Sequence, residues 1–232
     1  MLIKMLIFII ILFFLVLKLK KYLKYKKITK IGETGEALVN EILSSLNPKK
    51  YFVLNNIILE HPNKRTSQVD HIIISRKAIF VIETKNYSGV LFGNIKNRYW
   101  LHISGKNKHS VYNIAAQNQG HINAIKNNIN NILLNNISYR KYKKFFVSVL
   151  LFKNNCKVKI KKPLFYNLKS KKIIICNFGN LVKIIKKTRR RNVISKKLYK
   201  EIISEITNNN LSSKKKLKSH IKQIRKYNNI KK

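Results

Sequence analysis

The chain has 232 residues, with 50 Lys and Arg against 8 Asp and Glu, and a formal charge of +42. Apolar residues make up 45%, enough to bury a core, which excludes a wholly disordered chain. Such a charge draws a chain to polyanions, either nucleic acid or anionic lipid. Lys, Asn and Ile also share A/T-rich codons, so a skewed genome would supply many lysines with no partner implied. Cys156 and Cys176 stand apart from any CxxC or Cys/His cluster, which argues against structural zinc. They read as two reduced, partly buried thiols of a cytosolic domain.

Met5 to Leu17 is apolar without interruption, and Leu2 and Ile3 extend it past Lys4. As a helix, residues 2–19 would span roughly 27 Å, enough for a thin bilayer if Lys4 and Lys18 snorkel. No small-residue cleavage site follows. The expectation is therefore a transmembrane anchor over 1–19, then a basic juxtamembrane linker over 20–30. The lysines between Lys18 and Lys27 place that end in the cytoplasm by the positive-inside rule. The chain would sit in the cell membrane as a single-pass protein with a cytoplasmic body.

A helix is expected from about Thr34 to Leu46, with Leu38, Val39, Ile42, Leu43 and Leu46 as its apolar stripe. Glu36 falls at the edge of that stripe, and Asn47-Pro48 ends the helix. Tyr51 to Leu59 reads as a strand. Gln68 to Ser75 and Ala78 to Thr84 read as an antiparallel hairpin of buried central strands. Val90 to Phe92 and Tyr99 to Ile103 form a second hairpin around Gly93-Asn94. Asn113 to about Leu133 is expected to be helical, although Gly120 and many Asn weaken it. Phe145 to Phe152 and Lys172 to Cys176 are strands, Leu181 to Ile185 a short helix, and Val193 to Ile206 a longer one. The domain expectation is a core over 31–152, a strand and helix extension over 153–207, and a basic tail over 208–232. This order makes an α/β sandwich, a four- or five-stranded mixed sheet flanked by helices.

Asp70 is the only aspartate, and Glu83 and Lys85 close the next apolar run. Two carboxylates at the borders of adjacent strands suit Mg²⁺, which takes oxygen ligands and leaves room for water and phosphate. The Thr84 carbonyl could add a third oxygen, and Glu36 could bind the same metal or a second one. Lys85 shares a strand face with Glu83, since side chains alternate. It could orient or help deprotonate a water and offset charge on a pentacovalent phosphate. The plain alternative is that Glu83 and Lys85 form an ordinary salt bridge and Asp70 merely begins a strand. Gln117 and His121 lie one helical turn apart and share a face. His71 faces away from Asp70 and reads as structural, while Trp100 reads as core rather than as a base-stacking ring. His61 and His109 lack partners in sequence. The Lys169 to Lys172 and Lys186 to Arg191 clusters read as solvated or phosphate-contacting surface.

Gly32-Glu33-Thr34-Gly35-Glu36, Thr66-Ser67-Gln68-Val69-Asp70-His71 and Ile82-Glu83-Thr84-Lys85-Asn86-Tyr87-Ser88-Gly89 together resemble the NERD (nuclease-related) domain. Trp100 after Gly93, and Gln117 with His121, add to the likeness, which covers roughly residues 30–150. Ile114 departs from it, standing where the family usually has proline after asparagine. The resemblance implies the restriction-endonuclease-like fold of the PD-(D/E)xK superfamily and a phosphodiesterase using Mg²⁺ or Mn²⁺. By position it makes Glu36, Asp70, Glu83 and Lys85 the active-site set, with Gln68 and Gln117 as flanking polar residues and His121 supporting them. The expected function is thus a membrane-anchored nuclease acting on DNA. A non-catalytic nucleic-acid or membrane tether with a relic site, and a purely lipid-directed charge, are the competing readings.

Overall fold

The computed structural model describes residues 2–61, 63–138, 141–142, 145–161, 173–188 and 191–212. The expectations for Lys169 to Lys172 and for most of the 208–232 tail fall outside them. One helix, α1, runs Leu2–Ser44 and takes in the apolar segment, the basic stretch and the amphipathic stripe without a break. No proline interrupts it, and Lys, Leu and Ala are good helix formers. Its far end packs through Val39 and Leu43, joined just beyond by Leu46, all buried. Each contributes roughly 2 kcal/mol of apolar burial, enough together to fix the helix against the sheet.

The transmembrane expectation is corrected. Among the described residues no helix is long and apolar enough to cross a membrane. The uninterrupted apolar run Met5–Leu17 reaches only about 20 Å as a helix, against a hydrocarbon core of about 30 Å. Extending the window toward the C-terminus brings in Lys18, Lys20 and Lys21.

The strands are β1 Phe52–Glu60, β2 Thr66–Ile74, β3 Ile79–Lys85, β4 Gly89–Asn94, β5 Tyr99–Ser104 and β6 Asn107–Tyr112. Helix α2 spans Ile114–Leu134, followed by β7 Phe146–Phe152, β8 Cys156–Lys161 and β9 Ile173–Asn177. A 3-10 turn over Phe178–Asn180 leads into α3 Leu181–Lys187, and α4 is Lys196–Asn208. The core sheet has five strands in the order β1-β2-β3-β7-β9, as expected from the apolar runs. Of the second, four-stranded sheet, β6-β5-β4-β8, only the β4-β5 hairpin was expected. Its β6 is polar and exposed on both faces, so it shows no period. In β8 the residues Cys-Lys-Val-Lys-Ile-Lys do alternate, a strand signal that was missed.

The two sheets are joined twice. β3 pairs with β7 in parallel, and their continuations β4 and β8 pair in parallel in the second sheet. The chain turns between β3 and β4 at Gly89, whose φ is +87° and whose Cβ would stand 2.2 Å from the Ile103 carbonyl oxygen. Only glycine fits there. One face of the core sheet packs on α2 and α4 through Ile72, Ile74, Val81, Ile125 and Ile202. The other packs on the end of α1 and on α3 through Val39, Phe80, Ile82 and Leu181.

Helix α2 begins without a proline because Asn113 supplies the cap. Its side chain accepts from the Ala116 N–H at 3.1 Å and donates to the Ile95 and Asn97 carbonyls at 2.8 and 2.7 Å. Ile114 meanwhile lies in the core. Farther along, fully buried Asn118 donates to the Val81 carbonyl at 2.9 Å and to Ser148 Oγ at 2.8 Å. That clamp sets α2 over β3 and β7, and so fixes where His121, one turn later, points.

Candidate active site

The site forms where β2 and β3 meet the gap between the two sheets. Asp70 follows buried Val69 in β2, while Glu83 shares its strand face with Ile79 and Val81, the face that turns toward α2. Asp70 Oδ2 accepts the Thr84 backbone N–H at 2.8 Å, tying the two strands together at the carboxylates. Glu83 is 1% exposed and is held from both sides. Lys85 Nζ donates to its Oε1 at 2.6 Å, and His121 Nε2 lies 3.0 Å from its Oε2. A carboxylate only accepts, so Nε2 carries the proton facing Glu83. In the neutral ring Nδ1 then accepts from Ser67 Oγ, 2.6 Å away.

The chain Ser67–His121–Glu83–Lys85 thus combines a predicted pair with two contacts that sequence spacing alone did not reveal. The salt bridge of the plain alternative is present, and it lines the same cleft as Asp70 and Glu36. Ser67 carried no signal beyond its place in the Thr66 to His71 run. Its partner stands 54 residues away on another element.

The electrostatics divide the carboxylates. Burial works to raise Glu83, but Lys85 and His121 outweigh it and hold its carboxyl below the ordinary value. Burial and the Glu83 charge hold Asp70 well above its ordinary value of 3.8. Burial, then Glu83 and Glu33, also raise Glu36. Burial alone would lower the Lys85 ammonium, yet Glu83 more than offsets it and keeps it charged. His71 turns to the opposite face as expected. It is buried against Asn55 Oδ1 at 3.1 Å, and burial pulls its pKa down to about 4, so it is a neutral structural ring.

Glu36 reaches the site from α1 because the helix approaches β3 closely at Gly35. A Cβ there would lie 2.7 Å from Asn86 Cβ, and Asn86 Nδ2 donates to the Ile31 carbonyl at 2.8 Å. Gly32, one turn earlier, has open space. Gly35→Ala is therefore expected to cost about 1–3 kcal/mol and to reduce activity by displacing Glu36. Gly32→Ala should be neutral or slightly stabilising, since alanine favours a helix. Thermal unfolding of the two variants checks this, and equal melting temperatures would contradict it.

The remaining candidates line one cleft of about 1100 Å³, together with Asp70, Glu83 and Lys85. Gln68 is there, its Nε2 donating to Asn56 Oδ1 at 2.8 Å, and Gln117 shares the α2 face with His121. His109 lines it too, as do Lys24 and Lys27 from α1. His61 lies at the end of a turn, its N–H donating to the Arg65 carbonyl. Trp100 is core, 2% exposed against Gly93, with Nε1 donating to the Asn94 carbonyl at 2.9 Å. Cys156 and Cys176 are buried free thiols.

A bound metal can be tested against these residues. Among the described residues no three His, Cys, Asp or Glu side chains form a ready-made metal cage. The donors present are instead carboxylates whose charges oppose one another, which is the crowding a divalent cation relieves. An oxygen set of this kind fits Mg²⁺ or Mn²⁺, which complete their shell from backbone, water and substrate phosphate.

Two mixed sheets flanked by helices, with an Asp, a Glu-x-Lys and a buried His around one cleft, define a nuclease-related protein. The chain belongs to the NERD, nuclease-related domain, family, which matches residues 31–153, more than half its length. It is also 42% identical over 94 residues to an uncharacterized protein of Bacillus anthracis, covering 40% of this chain and 44% of that one. The chain thus spans less than half the length of this curated relative. No solved structure matches it.

Proposed function

We propose that the cleft hydrolyses phosphodiester bonds of nucleic acid, with DNA as substrate and Mg²⁺ or Mn²⁺ as cofactor. The observation that carries this reading is the convergence of Asp70, Glu83 and the Glu83-bound Lys85 on the floor of a lysine-edged cleft. Asp70, Glu83 and the Thr84 carbonyl would hold the cation, with Glu36 as a further carboxylate. When bound, the cation supplies Lewis-acid activation of water and phosphate. Lys85 is charged, so it acts as a positioned donor that orients the attacking water and offsets the negative charge building on the phosphate. His121 and Ser67 keep Glu83 turned toward that task. Lys24 and Lys27 neutralise backbone phosphates, which makes binding steeply salt-dependent and indifferent to sequence.

The apolar segment of α1 exposes Met5 to Leu17 on every side and is followed by lysines. This supports attachment to an anionic, cytoplasm-facing membrane surface through the apolar segment and the lysines beside it. Full-length chain should float with anionic phospholipid vesicles, and a chain lacking residues 1–27 should not; equal flotation of both would remove this part.

Supercoiled plasmid incubated with Mg²⁺ or Mn²⁺ should be nicked or linearised by wild type. Lys85→Ala should be slower by about 10² or more, the loss typical of one transition-state donor. Equal rates in the two proteins would sink the site assignment. Tight DNA binding with no product in either metal would instead mark a binding module.

A further inference from the structure

Outside α1, five large apolar side chains are exposed among the described residues, and four of them share one surface. They are Phe92, Tyr99, Leu101 and Tyr112, on the outer face of the second sheet. The register gathers them: Phe92 lies opposite Leu101, and Tyr99 opposite Tyr112. The two tyrosine rings meet edge to face with centroids 6.2 Å apart. Alternation sends Leu91 and Trp100 inward to the core and these rings outward.

Cations edge the rings. Lys159 of β8 pairs with Phe92 and holds its Nζ 5.5 Å over that ring. Arg98 lies 5.5 Å over Tyr99. Lys157 shares the β8 face with Lys159, and Lys108 sits opposite Ile103 at the other edge. The four strands contain no Asp or Glu at all. Rings left in water between cations are what unpaired bases and their phosphates require, since every base has a face to stack and every linkage a charge. The sheet is also continuous with the cleft. Asn107 and His109 of β6 line the cleft, while Lys108 and Tyr112 of the same strand lie on the outer face.

We propose that this outer face binds single-stranded nucleic acid, stacking bases on Phe92, Tyr99 and Tyr112 and contacting phosphates through Lys108, Lys157 and Lys159. A strand held there crosses β6 to reach the carboxylates. This inference rests on the nucleic-acid reading of the cleft.

The test is anisotropy of a fluorescein-labelled oligothymidylate with the full-length chain, in mild detergent and EDTA so that nothing is cleaved. Phe92→Ala/Tyr99→Ala/Tyr112→Ala should bind it at least about tenfold more weakly, the effect of losing a base stack. The same variant should bind a duplex of equal length as wild type does. Phe92→Tyr/Tyr99→Phe/Tyr112→Phe keeps the rings and should keep the affinity, which guards against misfolding. Unchanged oligothymidylate affinity in the alanine variant, or equal loss on duplex, overturns the proposal. So does loss of anionic-vesicle flotation, or of a wild-type dimer, with oligothymidylate binding intact. If wild type bound neither oligonucleotide, the nucleic-acid reading itself would fall; if only the alanine comparison failed, the sheet-face inference alone would.

Discussion

Glu83→Gln should abolish cleavage and also lower stability by about 3 kcal/mol, the low end for breaking a buried ion pair. In a chain of this size that is roughly 10 °C in melting temperature. The cause is local. Glu83 is 1% exposed and is the shared acceptor for Lys85 and His121. Removing its charge leaves the Lys85 ammonium in a site it tolerates only because Glu83 is there. The low end applies because the Lys85 side chain keeps 20% exposure. Replacing both partners, Glu83→Gln/Lys85→Met, should recover much of the stability without activity, since a neutral pair leaves no unpaired charge. The pH dependence follows from the depressed carboxyl. The stabilisation from Glu83 is present above its ordinary value of 4.5 and is lost as pH falls through the lower folded value. Circular-dichroism melts of the three proteins check this, and a Glu83→Gln melt equal to wild type would contradict it.

Asp70→Asn should also abolish cleavage, yet move stability the other way. Burial and the Glu83 charge raise the Asp70 carboxyl, so its ionised form opposes folding when no cation is bound. Between its ordinary value of 3.8 and the raised folded value the native state holds more protons, and stability falls as pH rises. The amide retains an acceptor for the Thr84 N–H and removes the charge. In EDTA at neutral pH the variant should melt about 3 °C above wild type, the shift produced by about 1 kcal/mol. Added Mn²⁺ should raise the wild-type melt by mass action and leave the variant nearly unmoved. A variant less stable than wild type in EDTA would show that Asp70 is there for structure, not for a cation.

These opposite signs depend on details the sequence exposed unevenly. The acids and the lysine were legible at the borders of two apolar runs, and period-2 alternation put Glu83 and Lys85 on one strand face. The five-stranded core followed from the same runs. Of the second sheet only the β4-β5 hairpin was legible, because β6 has no buried face to impose a pattern, whereas β8 alternates and its signal was present. His121 could be placed only relative to Gln117. Its contact with Glu83 depends on the Asn118 clamp, across 37 residues to Val81. Ser67 and Asn118 are short polar side chains whose meaning lies wholly in distant partners. The apolar N-terminal stretch was legible as a helix. Its length in uninterrupted apolar residues, not its hydropathy, decided against a span.

The central claim is that Asp70 and Glu83 hold a divalent cation at the base of this cleft. Crystals soaked in Mn²⁺ and measured at the manganese absorption edge test it directly. The account predicts one anomalous peak between the Asp70 and Glu83 carboxylates, within about 2–2.5 Å of an oxygen from each, as oxygen-ligated divalent ions require. Saturating Mn²⁺ with no peak there, or a peak only elsewhere on the chain, would contradict it.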